Sequence, residues 1–188
     1  MNRAIFLDRD GTIHEDRGYV ARVSDIRLFP ETIRALQLLQ ENNLLFIVTN
    51  QAGIGMGLLE EYAVDRLHEE LCALLRKQHI SIEKIYCCPH TPDTECCCRK
   101  PKPFFAQQAA RDFHLDLNGS YMIGDHPGDI GFGTHAGMRT VYMLTGHGTK
   151  HRDHLEQDPD FIAADLYQAA VWIREDKSTV HVRNRERC

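Results

Sequence analysis

Along the chain, short wholly apolar runs alternate with longer stretches in which apolar residues recur every three or four positions. Residues 4–7 (AIFL) and 44–48 (LLFIV) are too short for helices and read as buried strands. Between them Ile33, Leu36 and Leu39 share one helical face within 31–43, with Pro30 at its start. Val64, Leu67, Leu71, Leu74 and Leu75 give 60–78 the stripe of an amphipathic helix, most simply a core-facing one. Further strands are expected at 82–86, 121–123 and 140–144, and further helices at 104–113 and 166–174. Residues 88–103, dense in Cys and Pro, read as a loop, and 175–188 as a polar tail that frays. Arg183, Arg185 and Arg187 in that tail read as a solvated end.

Strand–helix alternation predicts an α/β fold, a three-layer, doubly wound parallel sheet with helices on both faces. One domain over 1–175 and a tail over 176–188 account for the chain. In such a sheet, ligands bind beyond the carboxyl ends of the strands. The polar residues capable of chemistry fall there: Asp8 and Asp10 after the first run, Thr49 and Asn50 after the second, and Asp125 after Ile123.

The 188 residues suit one domain, and 43% hydrophobic with 26% charged residues exclude a disordered chain. A formal net charge of -5 argues against nucleic acid as a partner. No apolar run approaches the roughly 20 residues that cross a bilayer, and the run before Asp8 is too short for a signal peptide. A monomeric cytoplasmic protein with a small-molecule partner and no membrane partner is expected.

Asp8-Arg9-Asp10-Gly11 places two carboxylates just past a buried strand, with a glycine that lets the chain turn sharply. Such a pair suits a hard divalent cation, which takes oxygen ligands and relieves the mutual repulsion of the acids. A bare turn, a calcium loop and a sugar-nucleotide metal site are the alternatives for an isolated D-x-D-G. The calcium loop fails, because its glycine belongs at the sixth position and Gly11 is at the fourth. A turn alone leaves unexplained the second acidic pair, Asp125 and Asp129, after another strand.

Five of the seven cysteines crowd into 87–98. Cys88, His90, Cys96 and Cys98 supply C-x-H and C-x-C within eleven residues, a closed shell for structural Zn2+ with no vacant position for substrate. Cys87 and Cys97 are left over, with Cys97 an alternative ligand. Unliganded thiols or one strained disulfide are the plain alternatives. Zinc there would pin the loop and fix where Arg99 and Lys100 point.

Four segments, FLDRDGT, VTNQ, the lysine of CRKPKP and IGDHPGD, occur in that order. By them the chain resembles the haloacid-dehalogenase (HAD) superfamily of phosphatases over about residues 3 to 145. FLDRDGTI…GYV, TNQ-x-GI and CPH…C-x-CRKP are similar to its heptose-bisphosphate phosphatase family, with histidinol-phosphate phosphatases close by. The resemblance implies a Rossmann-like HAD fold and phosphomonoester hydrolysis through an aspartyl-phosphate. Asp8 would be the nucleophile and Asp10 the acid and base, with Thr49, Asn50 and Lys100 on the phosphoryl oxygens. Mg2+ would sit on Asp8, the Asp10 carbonyl and Asp125. Asp16, Arg17, Gly18, Tyr19, Gln51 and Arg99 would contact a sugar phosphate or bisphosphate, Arg99 its distal phosphate. The family often has Lys where this chain has His126. Residues 13–30 leave no room for a cap domain, so an open, capless site is expected.

Gly53, Gly55 and Gly57 miss the dinucleotide spacing G-x-G-x-x-G by one residue and read as a flexible turn beside the site. His147, His151 and His154 read as a solvated cluster rather than as a second metal site. A zinc-stabilised binding module with a vestigial site is the alternative from outside the enzymes, and a phosphotransferase would use the same residues with another acceptor.

Overall fold

The computed structural model describes residues 1–185 in backbone and 1–176 in side chains. In order the chain forms β1 (Ala4–Leu7), α1 (Thr32–Gln40), β2 (Leu44–Asn50), α2 (Ala52–Gly55), α3 (Glu61–Arg76), β3 (Ile82–Cys88) and α4 (Phe104–Phe113). There follow β4 (Tyr121–Gly124), α5 (Pro127–His135), β5 (Arg139–Met143), α6 (Gly148–His151), β6 (Phe161–Ala163) and α7 (Leu166–Arg185). The strands form one parallel sheet in the order β3-β2-β1-β4-β5-β6. The first three strands step outward, and the chain then returns to the far side of β1. This makes the crevice between the ends of β1 and β4 the switch point of a doubly wound sheet.

Alternation along the strands splits the core in two. Ile5 and Leu7 join Leu36 and Leu39 of α1, Leu67 and Leu71 of α3, and Ala169 and Ile173 of α7 on one face. Ala4 and Phe6 join Phe46, Phe105 of α4 and Phe132 of α5 on the other. Phe6 stacks on Phe46 at 5.2 Å and meets Phe132 edge-on at 6.0 Å. Fully burying side chains of this kind contributes roughly 1.5–3 kcal/mol each. The three layers and the parallel sheet match the sequence expectation, and among the described residues no cap domain is inserted. Between β1 and α1 the only helical segment is a single 3-10 turn, Val23–Asp25.

Some elements differ from that expectation. Helix α5 was not foreseen, because its sequence PGDIGFGTH carries three glycines, each a poor helix former. A reciprocal cap holds its start: Gly128 N donates to His126 Nδ1 (3.1 Å) and His126 N donates to Asp129 Oδ2 (2.9 Å). Its glycines permit close packing, since a Cβ on Gly133 would stand 2.5 Å from Thr140 Cγ2. The segment read as a flexible turn after Gln51 begins with the one-turn helix α2. β6 is a three-residue edge strand too short to show a pattern. α7 runs to Arg185 rather than stopping near residue 174, while the tail side chains from 177 on, Arg183, Arg185 and Arg187 among them, lie outside the described residues. Among the described residues no helix is long and apolar enough to cross a membrane.

Candidate active site

Asp8 follows β1 directly, and its N–H still donates to the Ile123 carbonyl of β4 (2.9 Å). The sheet therefore carries this carboxylate into the switch-point crevice, where it is 8% exposed. Lys100 arrives from the loop after β3. Its Nζ donates to Asp8 Oδ1 (2.5 Å) and Val48 O (2.7 Å) and pairs with Asp129 Oδ1 (2.6 Å). Burial by itself would push the Lys100 ammonium down, but Asp129 and Asp8 outweigh it and hold the group charged.

Asp125, after β4, completes the acidic side. One ligand oxygen from each of Asp8, Asp125 and Asp129 lies within 4.8 Å of the others. Burial raises Asp8 well above the ordinary carboxylate range; Lys100 opposes the rise, and Asp129, Asp125 and Asp10 add to it. Burial, then Asp129, pushes Asp125 up to about 7, against the hydrogen bond from His147 N to its Oδ2 (2.8 Å). Three buried acids facing one ammonium leave an excess of negative charge at oxygen donors, a donor set that fits a hard divalent cation such as Mg2+.

Asp10 turns away from this trio. Arg9, fully buried, reaches its Oδ2 through Nε (3.0 Å) and Nη2 (2.8 Å) and its Oδ1 through Nη2 (3.0 Å). Gln51 Nε2 donates to Asp10 Oδ2 (2.7 Å) and to Thr49 Oγ1 (2.8 Å). His14 donates from Nδ1 to the Glu15 carbonyl (2.8 Å), which turns its Nε2 toward Asp10 Oδ1 at 3.4 Å. Burial lowers the His14 pKa despite Asp10. Asn50, at the end of β2, clamps the Lys100 backbone: Lys100 N donates to its Oδ1 (3.2 Å) and its Nδ2 donates to Lys100 O (3.3 Å).

The thiol loop lies next door. Cys88 Sγ is 3.3 Å from Cys98 Sγ and 3.9 Å from Cys96 Sγ, with His90 Nδ1 at 3.6 Å from Cys88 and 3.4 Å from Cys98. A tetrahedral zinc with Zn–S near 2.3 Å requires sulfur atoms about 3.8 Å apart, so these four residues fit the ion. Cys97 is exposed and Cys87 lies outside the group. Arg99 Nη1 donates to the His90 carbonyl (3.0 Å), tying the residue before Lys100 to the same loop.

An open cavity of about 360 Å³ lies over these groups. Asp16, Gly18, Tyr19, Thr49, Asn50, Gln51 and Arg99 line it with the acids and Lys100, as do His126 and His147. Arg17 is the one residue of the expected set that does not reach it; its side chain is exposed. Asp16 Oδ2 instead pairs with His147 Nε2 (3.0 Å) across the rim. The rings of His147, His151 and His154 follow one another at 5.4 and 6.2 Å, but their nitrogens do not gather as the zinc-loop ligands do.

Residues 97–169 match the family model described as HAD-hydrolase-like. A D-glycero-beta-D-manno-heptose-1,7-bisphosphate 7-phosphatase of Haemophilus ducreyi is 36% identical over 165 residues, 80% of this chain and 91% of its own. One of Photorhabdus laumondii is 38% identical over 183 residues, 92% of this chain and 97% of its own. The chain belongs to the HAD-like phosphatases. A solved heptose 1,7-bisphosphate phosphatase of B. bronchiseptica, complexed with magnesium and phosphate, superposes with a TM-score of 0.85 at 28% identity, covering 93% of this chain and 99% of that one.

In this HAD-like phosphatase Asp129, read from the sequence as half of a second acidic pair, joins Asp8 and Asp125 and pairs with Lys100. The structure adds residues that the sequence reading did not single out. Arg9, His14 and His68 surround Asp10, with Arg9 Nη1 2.9 Å from His68 Nε2. A signal for His68 was present: it occupies the core-facing stripe of α3 between Leu67 and Leu71, where a polar side chain needs a partner.

Proposed function

We propose that this phosphatase removes the 7-phosphate of D-glycero-D-manno-heptose 1,7-bisphosphate through an aspartyl-phosphate on Asp8. A carboxylate oxygen of Asp8 attacks phosphorus while the bond from phosphorus to the sugar oxygen breaks, and Asp10 gives that oxygen its proton. Asp10 then takes a proton from water, whose oxygen attacks the phosphorus and frees inorganic phosphate and Asp8. The Thr49 hydroxyl and the Lys100 ammonium hold non-bridging oxygens, and Asn50 fixes Lys100 from its backbone side. Mg2+, held by Asp8, the Asp10 carbonyl and Asp125, supplies positive charge against the transferring phosphoryl group when bound. Zn2+ on Cys88, His90, Cys96 and Cys98 is structural. The reading includes a monomeric, cytoplasmic enzyme.

The observation that carries this reading is the contact of Lys100 with Asp8 beside Asp125 and Asp129, on a chain 36–38% identical to proteins named for that activity. Arg99 at the cavity supports a second anionic group on the substrate. The test is a phosphate-release panel with Mg2+ over both anomers of the heptose bisphosphate, histidinol phosphate and simple sugar monophosphates. A kcat/KM for one heptose anomer well above the rest supports the reading. Equal slow rates on all, or a preference for histidinol phosphate, overturns the substrate.

A further inference from the structure

We infer that His68 is a positioning residue for the acid–base carboxylate, acting through Arg9; the inference rests on the role proposed for Asp10. Arg9 is fully buried and carries only donors. Two of its nitrogens, Nε and Nη2, hold Asp10. The third nitrogen is fixed by α3: Nη1 donates to His68 Nε2 at 2.9 Å. A guanidinium cannot accept, so His68 Nε2 must hold a lone pair and its proton must lie on Nδ1.

The surroundings keep that arrangement in place. His68 is 7% exposed on a face shared with Val64, Leu67, Leu71 and Leu75. Burial first and Arg9 second push its pKa down to about 4, so it stays neutral and continues to accept. Charge balance does not require it, because Asp10 already compensates Arg9. What His68 adds is direction. It sets the plane of the guanidinium, and that plane sets where the Asp10 oxygens point.

Misdirecting a general acid penalises only substrates whose leaving oxygen needs a proton. Sugar phosphates leave as alkoxides and need it; p-nitrophenyl phosphate leaves as a stabilised phenolate and does not. Because kcat/KM covers only the steps through transfer to Asp8, it isolates this effect. His68→Leu in the metal-loaded full chain should lower kcat/KM on a sugar phosphate about tenfold or more, and on p-nitrophenyl phosphate by no more than about threefold. His68→Gln, whose amide oxygen can accept, should recover most of the loss. His68→Met, which fills a similar volume, serves if His68→Leu does not fold. Equal losses on both esters, wild-type rates in the apolar variants, or no recovery in His68→Gln overturns the inference. Asp10→Asn run alongside separates the two failures. If it is inactive on the sugar phosphate while His68→Leu is unimpaired, only the positioning role falls; if it retains wild-type rates, the assignment of Asp10 falls and the role of His68 with it.

Discussion

Gly11 and Asp125, 114 positions apart, are packed so closely that a Cβ on Gly11 would stand 2.2 Å from Asp125 Oδ2. Gly11 also has φ +82°, a conformation that L side chains rarely adopt, and its carbonyl accepts from Thr145 Oγ1 (2.6 Å). Gly11→Ala should therefore displace the Asp125 carboxylate or the turn carrying Asp10. Either displacement costs activity about a hundredfold or more, the penalty of moving a reacting group by about 1 Å. Steady-state rates over a Mg2+ titration check this, and near-wild-type kcat at saturating Mg2+ contradicts it.

Removing zinc should slow catalysis without touching the cavity. Cys98 directly precedes Arg99 and Lys100, and the His90 carbonyl accepts from Arg99. Loosening the four ligands frees the backbone that aims the Lys100 ammonium at Asp8. Misplacing that ammonium by about 1 Å should cost up to about a hundredfold. The measurement is kcat in protein verified zinc-free and resupplied with Mg2+. Full turnover there would separate the thiol loop from the site.

His68 gives a pH signature in stability. Its folded pKa, lowered to about 4, lies below the ordinary 6.5, so between these values the unfolded chain binds a proton that the native one refuses. Stability from His68 is thus complete above pH 6.5 and is lost as pH falls toward 4, at up to about 1.4 kcal/mol per pH unit. Urea unfolding of wild type and His68→Gln at pH 7 and pH 5 should show their difference shrinking at the lower pH. Parallel changes contradict a neutral, buried His68.

The sequence made the site legible where physics leaves a local trace. The wholly apolar runs marked β1 and β2, and the polar residues just beyond them marked the crevice. Four soft ligands within eleven residues marked the thiol loop, while the choice between Cys98 and its neighbour Cys97 needed the structure. The missed elements have weak local traces. Helix α5 is glycine-rich and held by its cap and by close contact with Thr140, neither of which has a periodicity. Arg9 and His68 are linked across 59 positions, and each stands inside an otherwise apolar or acidic motif that masks it. Arg17 sits beside residues that do line the cavity, but it is exposed and is not among them.

The central claim is that Asp8 carries the phosphoryl group between two half-reactions. Its most direct test is to mix enzyme, Mg2+ and substrate, quench in acid within a turnover, and map the phosphorylated peptide by mass spectrometry. The account predicts one added phosphoryl group on Asp8, absent from Asp8→Asn. A turnover-competent enzyme with no phosphorylated peptide, or with the group on any other residue, would contradict it.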